Sequence, residues 1–215
     1  MKFSSAKILA ASLVLASGTL FAQQDFSADV VNMTTQKETP PHISVTKDKM
    51  RVDAKSHSGP GGSGVVIVNY ATQTTDVIIP DRQMYIESVN GQGPAGMMQR
   101  AFNPFRPGDV EDACASWKKL PQNQGGTCNK VGHDTVNGRD TIKYEGTNSK
   151  GETATVWIDP KLAFPIKWTG NKGDNWELQN IQVGSQPSSN FEIPAGYQKM
   201  DMSQMMNGMG RMPQR

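Results

Sequence analysis

From Asp25 onward the pattern of apolar residues is mostly of period two, in short runs closed by turn-forming residues. The runs DFSADVVNM (25–33), HISVTKDKMRVD (42–53), GVVIVNY (64–70), TTDVIIP (74–80) and RQMYIES (82–88) come before a break in the pattern. NKVGHDTV (129–136), RDTIKYEGT (139–147), ETATVWID (152–159), FPIKWTG (164–170) and NWELQNIQVG (175–184) follow it. A period of two sends successive side chains to opposite faces, so each run reads as a strand with one buried face. Lys47-Asp48 divides the second run, and Ala71-Thr72-Gln73, Pro80-Asp81, Val136-Asn137-Gly138, 148–151 and 171–173 are turns. Closely spaced strands describe an antiparallel meander, and about eleven of them cannot lie flat once each twists against the next. The expected fold is mainly β (α+β): a strongly curved antiparallel sheet or half-barrel, with a short helix and an irregular flap over its concave face.

The break has two parts. Residues 89–108 mix glycine and proline with Met97, Met98, Phe102 and Phe105, hanging apolar groups on a backbone that resists regular structure. These four are candidate lid residues. DVEDACASWKKLP then reads as a helix, with Asp109 as cap, Glu111 and Asp112 suiting its N-terminal dipole, Lys118 and Lys119 its C-terminal end, and Pro121 as a stop. Val110, Ala113, Cys114, Trp117 and Leu120 form its apolar stripe. The glycine-rich SGPGGSG (58–64) lacks the Gly-Lys-Ser/Thr ending of a phosphate loop, and Ser63 lacks the flanking glycines of a nucleophile elbow, so it reads as a hairpin loop.

Lys2 and Lys7 precede an apolar run over 8–16, and small residues end at Ala22, the pattern of a cleaved secretory signal spanning residues 1–22. The run is shorter than the roughly 20 residues a membrane-spanning helix needs. A periplasmic or secreted monomer is expected, with one domain over 23–200 and a Met-rich flexible tail over 201–215. The chain has 22 basic and 20 acidic residues, and the loss of Lys2 and Lys7 evens them. Such a balance leaves no footprint for nucleic acid, whose binding rests on phosphate neutralisation. Export places Cys114 and Cys128 in an oxidising space, where a disulfide is the expected state. Closing a loop of about 15 residues is worth about 3 kcal/mol.

KDKMRVD, YATQTTDVIIPDRQMYIE, VNGRDTIKYEG, ATVWIDPKLAFPIKW and WELQNIQVGSQPSSNFEIPAGYQKM occur in an order that resembles the LolA/LolB-like superfamily of exported bacterial proteins. They look most like the uncharacterised secreted domains placed beside it. The resemblance covers most of residues 26–200. It implies a half-open, eleven-strand barrel with a helical lid over an apolar cavity, whose best-known members carry lipoproteins or lipids through the envelope. It brings no catalytic signature. Ala163 stands where a glycine is expected in the WIDPKLAFP turn.

One alternating face would supply a ligand cavity: Met50, Val52, Val77, Ile79, Met84, Ile86, Phe164, Ile166, Trp168, Trp176 and Leu178. Periodicity alone describes a filled core equally well. Two binding functions follow: a carrier for a lipid or lipoprotein acyl chain, or an envelope protein-interaction or sensor module with a filled interior. A third rests on Met200, Met202, Met205, Met206, Met209 and Met212, since thioethers can hold Cu(I), although a disordered tail explains them more simply. His42, His57 and His133 lack metal-ligand spacing. Asp76, Asp81, Glu87 and Asp159 fall in turns or on polar sides of strands, and no nucleophile, base and orienter assemble into an enzyme. No cofactor is expected.

Overall fold

The computed structural model describes residues 23–35, 39–55, 63–90, 112–173 and 175–200. Its strands are β1 (Phe26–Asn32), β2 (His42–Val45), β3 (Lys49–Lys55), β4 (Ser63–Asn69), β5 (Thr74–Ile79), β6 (Met84–Val89), β7 (Thr127–Val136), β8 (Arg139–Thr147), β9 (Thr153–Asp159), β10 (Phe164–Gly170), β11 (Asn175–Val183) and β12 (Gln198–Lys199). All twelve join one sheet in the order β12-β6-β5-β4-β3-β2-β1-β11-β10-β9-β8-β7. Two meanders therefore meet where β1 pairs with β11, while β12 and β7 are the outermost strands among the described residues and the barrel does not close. The twelfth strand departs from the expected pattern: it is two residues long and runs parallel to β6. Helix α1 (Ala113–Lys118) lies between β6 and β7 in sequence.

Sequence explains the local geometry. Asn137 and Gly138 have φ of 52° and 73° between the paired Val136 and Arg139, the two-residue turn that matches strand twist. Ala163 takes φ 48°, a left-handed conformation that costs a residue with a Cβ about 1–2 kcal/mol. The adjacent Asp159 carboxylate holds that turn. Its Oδ1 accepts from the Lys161 and Leu162 amides at 2.8 and 3.2 Å.

The inner face is built in rows. Phe26, Val45, Met50, Val68, Thr75 and Ser88 stand opposite one another across β1 to β6, and every one is buried. The next row is Ala28, Ile43, Val52, Val66, Val77 and Ile86. Val30 and the pair Ile79 and Met84 lie one step further along β1, β5 and β6. Beside the first row the structure is sealed. β10 pairs with β11 only over Lys167–Thr169 and carries an extra residue relative to β9 between Pro165 and Lys167. Beyond that point Phe164 and Ile166, with Leu162 from the β9–β10 turn and Val136 from the end of β7 beside the β7–β8 turn, join the main core, and Phe164 meets Phe26 edge-on at 5.3 Å. Backbone and side-chain bonds fasten both turns: the Gln24 amide donates to the Lys161 carbonyl (3.0 Å), and Asn137 Nδ2 to the Leu178 carbonyl (3.0 Å).

The outer face of β4 and β5 is also covered. Val65, Ile67 and Ile78 pack with Phe191, Ile193 and Tyr197 from the segment that follows β11. Arg51 Nη1 donates to the Asn190 carbonyl at 2.9 Å and helps hold that strap. This explains why residues 65–68 are apolar without alternation: both faces of β4 are buried.

Cys114 and Cys128 form a disulfide that joins α1 to β7, with Cα atoms 5.4 Å apart. The helix is shorter than the apolar stripe suggested. Its cap is Asp112, whose Oδ1 accepts from the Ala115 amide at 3.1 Å, whereas Asp109 and Val110 lie outside the described residues. Ala113 and Cys114 pack on Ile142, Tyr144 and Ile158, and Trp117 lies over Gly146 of β8. A Cβ on Gly146 would stand 3.0 Å from two indole carbons of Trp117. Gly146→Val is therefore expected to lower stability by about 1–3 kcal/mol, the usual range for overpacking. Urea unfolding, followed by near-UV circular dichroism of the displaced Trp117, checks this.

Candidate functional site

Strand alternation and pairing settle which predicted cavity residues share a face. Met50, Val52, Val77, Ile79, Met84 and Ile86 occupy the inner rows of β3, β5 and β6. On the other meander Leu178 stands opposite Val30, Trp176 opposite Trp168, and Trp168 opposite Val156. That is also the face on which α1 packs, since Val156 adjoins the Ile142, Tyr144 and Ile158 cluster. Phe164 and Ile166 enter the same core through the irregularity in β10.

Burial divides the set. Met50, Val52, Phe164, Ile166 and Leu178 are packed into the main core. Val77, Ile79, Met84, Ile86, Trp168 and Trp176 are half-buried, as are Val30 and Val156, which the sequence reading did not include. Exposure thus increases along β5 and β6 from a sealed row, Thr75 and Ser88, towards Ile79 and Met84. The lid candidates Met97, Met98, Phe102 and Phe105 lie outside the described residues, as do Met202, Met205, Met206, Met209 and Met212. Met200 is described, and its amide donates to the Tyr85 carbonyl at 2.8 Å.

The polar candidates have structural roles. Asp159 is buried and ion-paired with Arg139 besides capping its turn. Glu177 accepts from Asn137 Nδ2 at 2.9 Å and lies 3.4 Å from Lys167 Nζ. His42 Nδ1 meets Asp29 Oδ1 at 2.8 Å, and Asn180 Nδ2 donates to the other oxygen of Asp29 at 2.8 Å. These two bonds, the Asn180 bond first, hold the Asp29 carboxyl below its ordinary range. Among the described residues, no group of three or more His, Cys, Asp or Glu is arranged to hold a metal. An open depression of about 380 Å³ lies between the β7–β8 turn and the irregular part of β11, lined by Asn137, Arg139, Leu178, Gln179, Asn180 and Ile181. Leu178 is the one predicted cavity residue that it touches.

Trp157 is on the alternate face to Trp168. Lys143 Nζ and Lys167 Nζ stand 5.4 and 5.2 Å from the centre of its ring, and its Nε1 donates to Asp134 Oδ2 at 2.8 Å. By alternation Trp168 and Trp176 lie on the inner face, Trp117 on the helix against it, and Trp157 on the alternate face of β9, where it too packs against the main core.

Asp76 points outward beneath the end of the strap. Burial pushes its carboxyl up from the ordinary range, the facing Glu87 adds to this, and Lys199 of β12 partly opposes it. Oδ1 of Asp76 has no hydrogen-bond partner among the described residues. An acid whose pKa is raised by folding binds its proton more tightly when folded, so it lowers stability at neutral pH and restores it as pH falls through the carboxylate range. Asp76→Asn is expected to be more stable than the parent at pH 7, with the difference shrinking towards pH 4. Thermal unfolding at the two pH values measures this.

No protein-family model matches the chain, and no curated protein does. Solved structures match its fold. An uncharacterized conserved protein from Thermus thermophilus is 8% identical with a TM-score of 0.50, over 84% of this chain and 91% of that one. PNGF-II is 8% identical with a TM-score of 0.50, over 87% of this chain but 33% of its own, so the chain spans about a third of its length. A LolA superfamily protein from Nitrosomonas europaea is 8% identical with a TM-score of 0.31, over 79% of this chain and 90% of that one. At 8% identity the two matches with a TM-score of 0.50 bear on the fold alone. Among the described residues, no helix is long and apolar enough to cross a membrane.

Proposed function

We propose that the chain is an exported, non-catalytic binding protein whose inner face holds the hydrocarbon of a lipid or of a lipoprotein acyl chain. The observation that carries this reading is the band of half-buried apolar side chains on the inner face of an unclosed sheet: Val30, Val77, Ile79, Met84, Ile86, Val156, Trp168 and Trp176. Covering apolar surface is worth about 25 cal/mol per Å², so a band of this composition favours an apolar occupant. Methionine and tryptophan suit varied hydrocarbon shapes. The disulfide between α1 and β7 supports an oxidising compartment.

In this reading the stretch with Met97, Met98, Phe102 and Phe105 covers the ligand. Val89 ends β6, next to one rim of the sheet, and α1 packs on β7 and β8 at the other, so the connection between them joins the two rims. The ligand acts as the missing core of the open half.

Native mass spectrometry of protein purified from the cell envelope tests the reading, together with titration of a fluorescent fatty acid. The expected result is a lipid-sized mass adduct and saturable uptake. A homogeneous unliganded species that takes up no fatty acid would overturn it, and recovery of a specific crosslinked envelope protein in its place would favour an interaction module with a filled interior.

A further inference from the structure

The buried inner row of β1 to β6 is apolar until it reaches β5 and β6, where Thr75 and Ser88 stand opposite each other. Thr75 is 0% exposed, and its Oγ1 has no hydrogen-bond partner among the described residues. A buried hydroxyl left unpaired costs about 1–3 kcal/mol, and such a group in a native fold calls for an occupant that satisfies it. Valine has the same shape without that cost, and the phase of the strand would accept it.

Alternation points Thr75 away from the outer face, where Asp76 and Ile67 stand, so its partner must come from the inner side. From Thr75 the inner side chains of β5 continue as Val77 and Ile79, and those of β6 from Ser88 as Ile86 and Met84. At about 3.3 Å per residue this makes an apolar track of about 13 Å, leading from the sealed row to the more exposed end. The inner rows of β1 to β6 carry no charged side chain, which excludes an ionised head at Thr75, because an unpaired charge there would be desolvated without compensation.

Resting on the carrier reading, we infer that Thr75 is the polar anchor of the site: its hydroxyl donates to the carbonyl of a small, uncharged acyl head that enters first, with the hydrocarbon trailing along Val77, Ile86, Ile79 and Met84. The ligand class is accordingly a free acyl compound with an uncharged carbonyl head, such as a small ester, a primary amide or a protonated fatty acid. An acyl chain tethered to a protein cannot bring its carbonyl to the sealed row.

Tryptophan-fluorescence titrations of the full exported chain with methyl dodecanoate, dodecanamide, dodecane and a dodecanoyl-peptide conjugate test this. The parent is expected to bind the ester and the amide about five- to tenfold more tightly than dodecane, the equivalent of one neutral hydrogen bond, and to bind the conjugate more weakly than the ester. Thr75→Val should abolish the preference for the carbonyl while leaving dodecane affinity and thermal stability at or above the parent's, and Thr75→Ser should retain it. If Thr75→Val keeps the preference, the hydroxyl is bonded by internal water and the anchor is refuted while the carrier reading stands. Equal or tighter binding of the conjugate also refutes the head-inward orientation. If the parent binds none of the four, the carrier reading fails and the anchor with it.

Discussion

The pairing of β1 with β11 is the contact on which the rest of the structure depends. It is antiparallel, runs from Phe26 opposite Val183 to Asn32 opposite Trp176, and is the seam between two meanders that otherwise share no neighbouring strands in the sheet. Without it the inner rows of one meander would end at β1 and those of the other at β11, and Leu178 would lose the strand that carries Val30. The seam is irregular: β11 takes one more residue than β1 between Gln179 and Gln182, with Asn180 at φ 53°. That extra residue lets Leu178 and Ile181 both turn towards the core, and it bends β11 where β10 departs from it.

The curvature that follows gives the molecule an unequal interior. One end is closed by Leu162 from the turn before β10, by Phe164 and Ile166 from the start of β10, and by Val136 from the end of β7. Towards the other end, the apolar side chains of β5, β6, β9 and β10 are only half covered. A closed end and an open band on one face are the arrangement a carrier of hydrocarbon requires. The disulfide and Trp117 hold the short helix at the rim beside that band.

Much of this was legible in the sequence because a strand's period of two is a geometric fact. The strand positions, a turn at Val136-Asn137-Gly138 and the face shared by Met50, Val52, Val77, Ile86 and Trp176 follow from spacing, and the disulfide from two cysteines in a chain read as exported. What could not be read depends on contacts between distant segments. The stretch 65–68 reads, like the other runs, as a strand with one buried face, and nothing local to it names Phe191 and Tyr197 as the cover of the other. The extra residues in β10 and β11 decide which candidates are core and which are half-open, and they leave no periodic trace. β12 is too short to show a period, and it is parallel because the chain returns across the outer face. Thr75 escaped notice because threonine is an ordinary strand residue, and its hydroxyl matters only once its surroundings are known.

The division of the tryptophans offers the most direct test of the central claim, that the inner face is where hydrocarbon binds. Bromine atoms quench indole fluorescence on contact, so a brominated fatty-acid methyl ester reports which tryptophans meet the chain. The account predicts strong quenching in the parent, retained in Trp157→Phe and largely lost in the Trp168→Phe, Trp176→Phe double variant. Quenching that persists in the double variant and disappears in Trp157→Phe would place the hydrocarbon on the opposite face and contradict it.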